Sequence, residues 1–284
     1  MGSFVNALVW RVRSKELIHE AIDELQAKKP SAKSQKQISQ LTQDMAGLSI
    51  MHGRSMCPNC KQTLDWYDLI PVFSWLSVRG RCRYCHKPIS SEYPIVEIAT
   101  AALFVISYIS WPHTIKGIEI VVFGLWLLIL TGLMALTVYD LHWRLLPNKI
   151  VFPLLGLGVV QAGFIIFQST TPLKAVINSL IALAIGGGIF FALYQISDGK
   201  WIGGGDVKLG WLLGLLAATP ALSLLVIFLS SLLGTLVALP GLVLGRLRPK
   251  SEIPYGPFLF AAAIIVVLYG PTIFRYYERL FLIV

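Results

Sequence analysis

WIGGGDVKLGWLLGLLAATPALSLLVIFLSSLLGTLVALPGLVLG, residues 201–245, sets three consecutive glycines and an aspartate directly against a long apolar run. From Leu209 to Gly245 not one side chain is charged. A bilayer core about 30 Å thick takes roughly 20 helical residues to cross, so this run is too long for one span. Thr219-Pro220 near its middle predicts a turn. That gives two spans, the first short unless it begins at Asp206. A carboxylate at such a threshold needs a partner or a task, because an ionisable group at a helix centre costs at least about 2.5–3.5 kcal/mol.

Working outward, the whole chain has this character. It is 55% hydrophobic and 14% charged, with a mean hydropathy of +0.68, whereas a soluble domain carries roughly 25% charge. Further spans are predicted at Ile98–Ile115, Gly117–Tyr139, Ile150–Leu173, Ala175–Ser197 and Ile253–Phe274. Met1–Val12 is apolar but only about half a span long. It lacks the basic start and small-residue cleavage site of a signal peptide. It reads as the second half of a first helix whose upstream residues are missing, or alternatively as an interfacial helix. The expected fold is an all-α polytopic membrane protein, a bundle of about eight transmembrane helices with the first truncated, carrying a small cytoplasmic zinc-knuckle domain. Residues 1–12 are then the helix remnant, 13–94 the cytoplasmic domain and 95–284 the transmembrane bundle.

Charge orients this bundle. Thirteen of the 24 lysines and arginines lie between Arg11 and Lys87, with further groups at Arg144 and Lys149, Lys200 and Lys208, and Arg246, Arg248 and Lys250. The alternate loops hold only Lys116 and Lys174. By the positive-inside rule the basic set faces the cytoplasm, with Arg275 and Arg279 a mild exception. The net charge of +9 therefore reports topology and a face that would hold anionic headgroups. It calls for no nucleic acid as a partner.

Within the polar segment, Leu17, Ile18, Ala21, Ile22 and Leu25 recur at helical spacing, and Ile38, Leu41, Met45 and Leu48 mark a second amphipathic helix after a break at Lys28-Lys29-Pro30-Ser31. All four cysteines follow, as Cys57-Pro-Asn-Cys60 and Cys82-Arg-Tyr-Cys85. Two such knuckles let four thiolates converge tetrahedrally on Zn²⁺. The alternative is two disulfides, which a reducing cytoplasm disfavours. Four ligands leave no open position, so the zinc is structural. His52 and His86 lie close by but are not needed.

Asp140 ends a span running outward to inward, and Asp206 begins one running inward to outward. Both therefore lie at the cytoplasmic membrane boundary. Two carboxylates at one depth can share a proton, one acting as acid while the other acts as base. Such a pair activates water for amide hydrolysis without a nucleophilic side chain or catalytic metal. Gly203, Gly204 and Gly205 lack a Cβ, so a substrate backbone could approach the carboxylate closely. Gly210 and Gly214 continue a small-residue face for helix packing. The plainer alternatives are that Asp206 pairs with Lys208 or caps its helix, and that Asp140 pairs with His142 or Arg144.

In combination these features resemble the bacterial type IV prepilin peptidases, the leader peptidases and N-methyltransferases of the GxGD aspartic protease group. The matching stretches are Gly2-Ser3-Phe4-Val5-Asn6, the paired knuckles, Ser74-Trp75-Leu76 before Gly80-Arg81-Cys82-Arg83, and Tyr93-Pro94-Ile95-Val96-Glu97. They continue with Asp140 and Leu145-Leu146-Pro147, Gly203–Leu209, and Ile253-Pro254-Tyr255-Gly256-Pro257-Phe258. The resemblance implies a membrane-embedded aspartic endopeptidase of the bacterial cytoplasmic (inner) membrane, with Asp140 and Asp206 as its catalytic pair. Its substrates would be prepilins or pseudopilins in the lipid bilayer, cleaved of a short basic leader at the cytoplasmic face. It also implies methylation of the new N-terminus by S-adenosylmethionine. Glu97 is the candidate residue for that methyl-donor site, or else a structural partner for a nearby Arg or Lys. A rival from another class is an ion- or proton-coupled transporter using the two boundary aspartates. Inverted repeats would favour it, and the two halves show no convincing similarity. A third reading is a metal-bearing scaffold for a secretion machine.

Overall fold

The computed structural model describes residues 1–27, 32–49, 53–245 and 253–281. The expected break at 28–31, His52 and the basic cluster 246–250 lie outside the described residues. Two compact units emerge, Met1–Leu103 and Phe104–Val284, and among the described residues all regular structure is helical apart from two isolated β-bridges.

In the first unit, α1 (Gly2–Ala27) is one continuous helix, where an apolar remnant and a separate amphipathic helix are expected. α2 (Ala32–Gly47) is the second amphipathic element. A 3₁₀ turn at Trp66–Leu69 and a short α3 (Phe73–Ser77) lie between the two cysteine knuckles. α4 (Glu92–Ile109) begins where Ser90 Oγ accepts the Glu92 amide at 3.2 Å. Its start lies six residues before the expected Ile98, and it ends ahead of Pro112, whose ring disfavours helix in the residue before it. α1 runs antiparallel to α4. Asn6 Nδ2 donates to Tyr93 O at 3.2 Å, and a Cβ on Gly2 would lie 2.4 Å from Glu97 Cα.

The second unit is built from α5 (Ile118–Trp143), α6 (Asn148–Gln168), α7 (Pro172–Ile196), α8 (Gly204–Ala217), α9 (Pro220–Val243) and α10 (Gly256–Phe281). Six helices, α4, α5, α6, α7, α9 and α10, are long and apolar enough to cross a membrane. α8, with 14 residues, is the short one. The Thr219-Pro220 turn forms as expected. Ala218 adopts φ 57°, Thr219 Oγ1 accepts the Leu222 amide at 3.4 Å, and Pro220 opens α9. Pro fits there because a first-turn N–H has no helical partner to lose.

α5 and α8 are the enclosed helices. α5 buries Trp126, Leu130, Leu133, Leu136 and Tyr139 on several sides, and α8 buries nearly every residue from Val207 to Ala217. The small-residue face of α8 meets α7. A Cβ on Gly210 would lie 2.6 Å from Gly186 O, and one on Gly214 2.6 Å from Ala182 O. Without side chains there the two backbones touch, which is how helices associate where lipid removes the hydrophobic drive between them. Ser223 Oγ on α9 donates to the same Ala182 carbonyl at 2.8 Å.

Candidate active site and metal centre

Asp140 sits in the last turn of α5, since that helix runs one turn beyond the expected end to Trp143. It is buried, with 5% of its surface exposed. Its Oδ2 accepts the Gly256 amide at 2.9 Å. Gly256 is the first residue of α10, so this amide is one of the helix-start donors without an intrahelical acceptor. The positive end of the α10 dipole therefore faces the carboxylate. Of the expected alternative partners, His142 contacts Val138 O through Nδ1 at 2.9 Å, and the charge of Arg144 acts on Asp140.

Asp206 is the third residue of α8, and its Oδ2 accepts the Gly203 amide at 3.3 Å. It does cap its helix. The expected alternative of a pair with Lys208 is not what forms: Lys208 Nζ donates instead to Asn148 Oδ1 at 2.7 Å, at the start of α6. Each aspartate thus receives a backbone amide at a helix N-terminus, and Asp140 is near enough for its charge to act on Asp206. The three glycines divide in role. A Cβ at Gly205 would come within 2.8 Å of Leu146 Cβ, whereas Gly203 is exposed and the nearest atom to its Cβ position is Asp206 Oδ2 at 3.4 Å. Gly205 lets the post-α5 loop close onto α8, and Gly203 leaves open backbone beside the carboxylate.

In the first unit the two knuckles are copies of one turn. Cys57 N donates to Gln62 O and Lys61 N to Cys57 O. Cys82 N donates to Lys87 O and His86 N to Cys82 O, all at 2.9 Å. Lys61 and His86 hold the equivalent positive φ, 57° and 56°, so His86 is a turn residue. The four thiols are unbonded to one another and all Sγ atoms lie within 4.8 Å of each other, Cys57 and Cys85 at 3.9 Å. Tetrahedral Zn–S bonds of about 2.3 Å imply S···S separations of about 3.8 Å, so the set fits a zinc ion. Burial pushes the Cys82 thiol up. The Cys85 and Tyr84 amides and the neighbouring thiols outweigh it and bring it down to about 7. At Cys85 the Lys87 amide is outweighed by burial and the neighbouring thiols, which push that thiol up to about 11.

Glu97, on α4, accepts from Ser3 Oγ through Oε1 and from the Val72 amide through Oε2 at 2.7 Å. Its partners are therefore a hydroxyl and an amide rather than a basic side chain, and they tie α1, the inter-knuckle loop and α4 together. It lines a cavity of about 230 Å³ with Asn6, Trp10, Trp75, Tyr84 and Tyr93.

Comparison with known proteins then decides the family. Residues 1–111 match the Bacterial Peptidase A24 N-terminal domain and residues 127–239 match the Type IV leader peptidase family. The "Prepilin leader peptidase/N-methyltransferase" of Bacillus subtilis is 32% identical over 233 residues, covering 82% of this chain and 88% of that protein. The chain belongs to the type IV leader peptidase family. The protein of the same name from Aeromonas hydrophila is 35% identical over 238 residues, 82% of this chain and 78% of that one. The "Type 4 prepilin-like proteins leader peptide-processing enzyme" of Escherichia coli O78:H11 is 29% identical, covering 72% and 73%. No solved structure matches.

The chain is thus a peptidase whose helices include six long and apolar enough to cross a membrane. The sequence alone assigns no role to Gly256, although it lies in the matching stretch Ile253–Phe258. A glycine between a tyrosine and a proline at a helix start was the available signal.

Proposed function

We propose that this chain removes the short basic leader from type IV prepilin-like proteins at the cytoplasmic face of the bacterial inner membrane, using Asp140 and Asp206 as an aspartic pair. The observation that carries this reading is their placement. Two carboxylates on the two most enclosed helices each receive a helix-start amide, and Asp140 is near enough for its charge to act on Asp206. In the reaction one carboxylate takes a proton from water, and the resulting oxygen bonds to the scissile carbonyl carbon. The other protonates the carbonyl oxygen. Collapse of the tetrahedral species breaks the C–N bond, the first group returns its proton to the leaving nitrogen, and the second recovers its own from the hydroxyl. The exposed backbone at Gly203 offers a substrate strand a close approach beside Asp206.

The names of the relatives support methylation of the new N-terminus as a second activity, with S-adenosylmethionine supplying the methyl group. The cavity beside Glu97 is lined by Trp10, Trp75, Tyr84 and Tyr93, aromatic residues of the kind that suit an adenine ring or a sulfonium cation. Glu97 lines this cavity as the candidate residue for the methyl-donor site, and its bonds to Ser3 and Val72 hold α1 and the inter-knuckle loop against α4. The four cysteines hold zinc as a structural core for residues 55–90, a region with little apolar interior of its own.

The test is to reconstitute the purified protein with a membrane-embedded prepilin and S-adenosylmethionine and weigh the product. A product shorter by the leader and heavier by one methyl supports both activities. Retention of the leader would sink the peptidase reading.

A further inference from the structure

The loop between the knuckles presents apolar side chains to the outside. Trp66 is 76% exposed, Phe73 73% and Leu76 57%, with Leu69 and Ile70 each more than a third exposed. The one acidic group within the patch is Asp68, which is neutralised by Arg83 at 3.0 Å. An exposed cluster of this kind marks a binding surface.

Two observations say what covers it. The first is depth. The Val72 amide donates to Glu97 Oε2, and Glu97 lies five residues into α4, about 7.5 Å along its axis, inside the membrane-crossing stretch Glu92–Ile109. The neighbouring α4 residues Ile95 and Ile98 are themselves 61% and 56% exposed. Val72 is held there in a tight γ-turn, at φ 62° and ψ −50°, closed by Phe73 N donating to Pro71 O at 2.6 Å. A β-branched residue is strained in that region, so the loop is drawn down to the helix at a cost. The second is charge. Exposed Arg79, Arg81 and Lys87 follow the apolar patch in the chain, the pairing of apolar insertion with cations that suits anionic headgroups.

We infer that the 66–76 loop is a membrane-interface anchor, inserting Trp66, Phe73 and Leu76 among the lipids beside α4. The knuckle module then lies on the bilayer surface instead of standing away from it. This rests on the chain being membrane-embedded and is independent of which residues cleave the substrate.

The full-length protein is reconstituted into phosphatidylcholine–phosphatidylglycerol vesicles, with and without chains brominated near the headgroup. The emission of wild type minus that of Trp66→Phe reports Trp66 alone. Zinc content and helical signal of each variant show that the knuckles are intact. The expected result is a loss of about half or more of the Trp66 emission to brominated lipid, and little loss to aqueous iodide, as for interfacial tryptophans. In the Phe73→Ser/Leu76→Ser variant the Trp66 signal should become open to iodide. A Trp66 quenched by iodide and untouched by brominated lipid overturns the inference. So does a Trp66 shielded from both, or one shielded only when a prepilin is added, because each means the patch is covered by protein.

Discussion

The Gly256 amide donates to Asp140 Oδ2 over 2.9 Å, and a Cβ added to Gly256 would stand 2.6 Å from that same oxygen. The oxygen and the missing methyl compete for one place. Gly256→Ala should therefore displace the carboxylate, and a displacement of about 1 Å can cost about 100-fold in rate. Cleavage of a reconstituted prepilin by Gly256→Ala, followed beside its helical signal, checks this. Full activity would show that the contact does not position Asp140.

Asp140→Asn and Asp206→Asn each keep the side-chain shape while removing the titratable group. Each should abolish cleavage in a protein that still folds, and the double variant should be scarcely worse than either single one, because the pair acts as a unit. The pH profile should report constants belonging to the pair. Asp198 is the control. It is exposed in the turn after α7 at φ 49°, a conformation Asn tolerates, so Asp198→Asn should retain substantial activity.

The knuckles predict about one zinc per chain in protein prepared under reducing conditions. Cys82→Ser removes a buried ligand and should lower metal content and open residues 55–90 to protease, with the helical bundle still inserted. Elemental analysis and limited proteolysis read the two effects together.

Glu97→Ala deletes both the Ser3 and the Val72 contacts and so loosens the cavity wall. Methyl transfer should fall more than leader removal, measured on one product by mass. Equal loss of both would make Glu97 a general structural tie.

At the α7–α8 seam, Gly210→Ala and Gly214→Ala push a methyl into opposing backbone at 2.6 Å. Overpacking of this kind typically costs about 1–3 kcal/mol. Both should melt earlier in detergent than wild type. Gly156→Ala and Gly163→Ala on α6, with nothing within 4 Å, should melt no earlier.

Much of this was legible in the residues. Apolar runs located the spans because hydropathy reports the lipid environment directly, and the Thr219-Pro220 turn followed from proline's missing N–H. The change to polar residues after Val12 marks a change of surroundings, but no Gly or Pro interrupts the backbone there, so α1 continues to Ala27 as one helix. Cysteine spacing was enough to bring four thiols together. The Gly256 contact and the Glu97 tie were not legible, since both depend on backbone amides, which every residue but proline carries and no residue type advertises.

The brevity of α8 has a consequence for water. Fourteen residues span about 21 Å, well short of a hydrocarbon core of about 30 Å. Because α8 is enclosed by its neighbours, the shortfall is left inside the bundle, where non-helical backbone is tolerated only if it is buried in protein or lines a water-filled cavity. The Asp206 end of α8, with Lys208 and Asn148 beside it, would then open to water below the membrane surface. A hydrolase needs water and a transmembrane substrate needs lipid, and such an opening brings both to one depth.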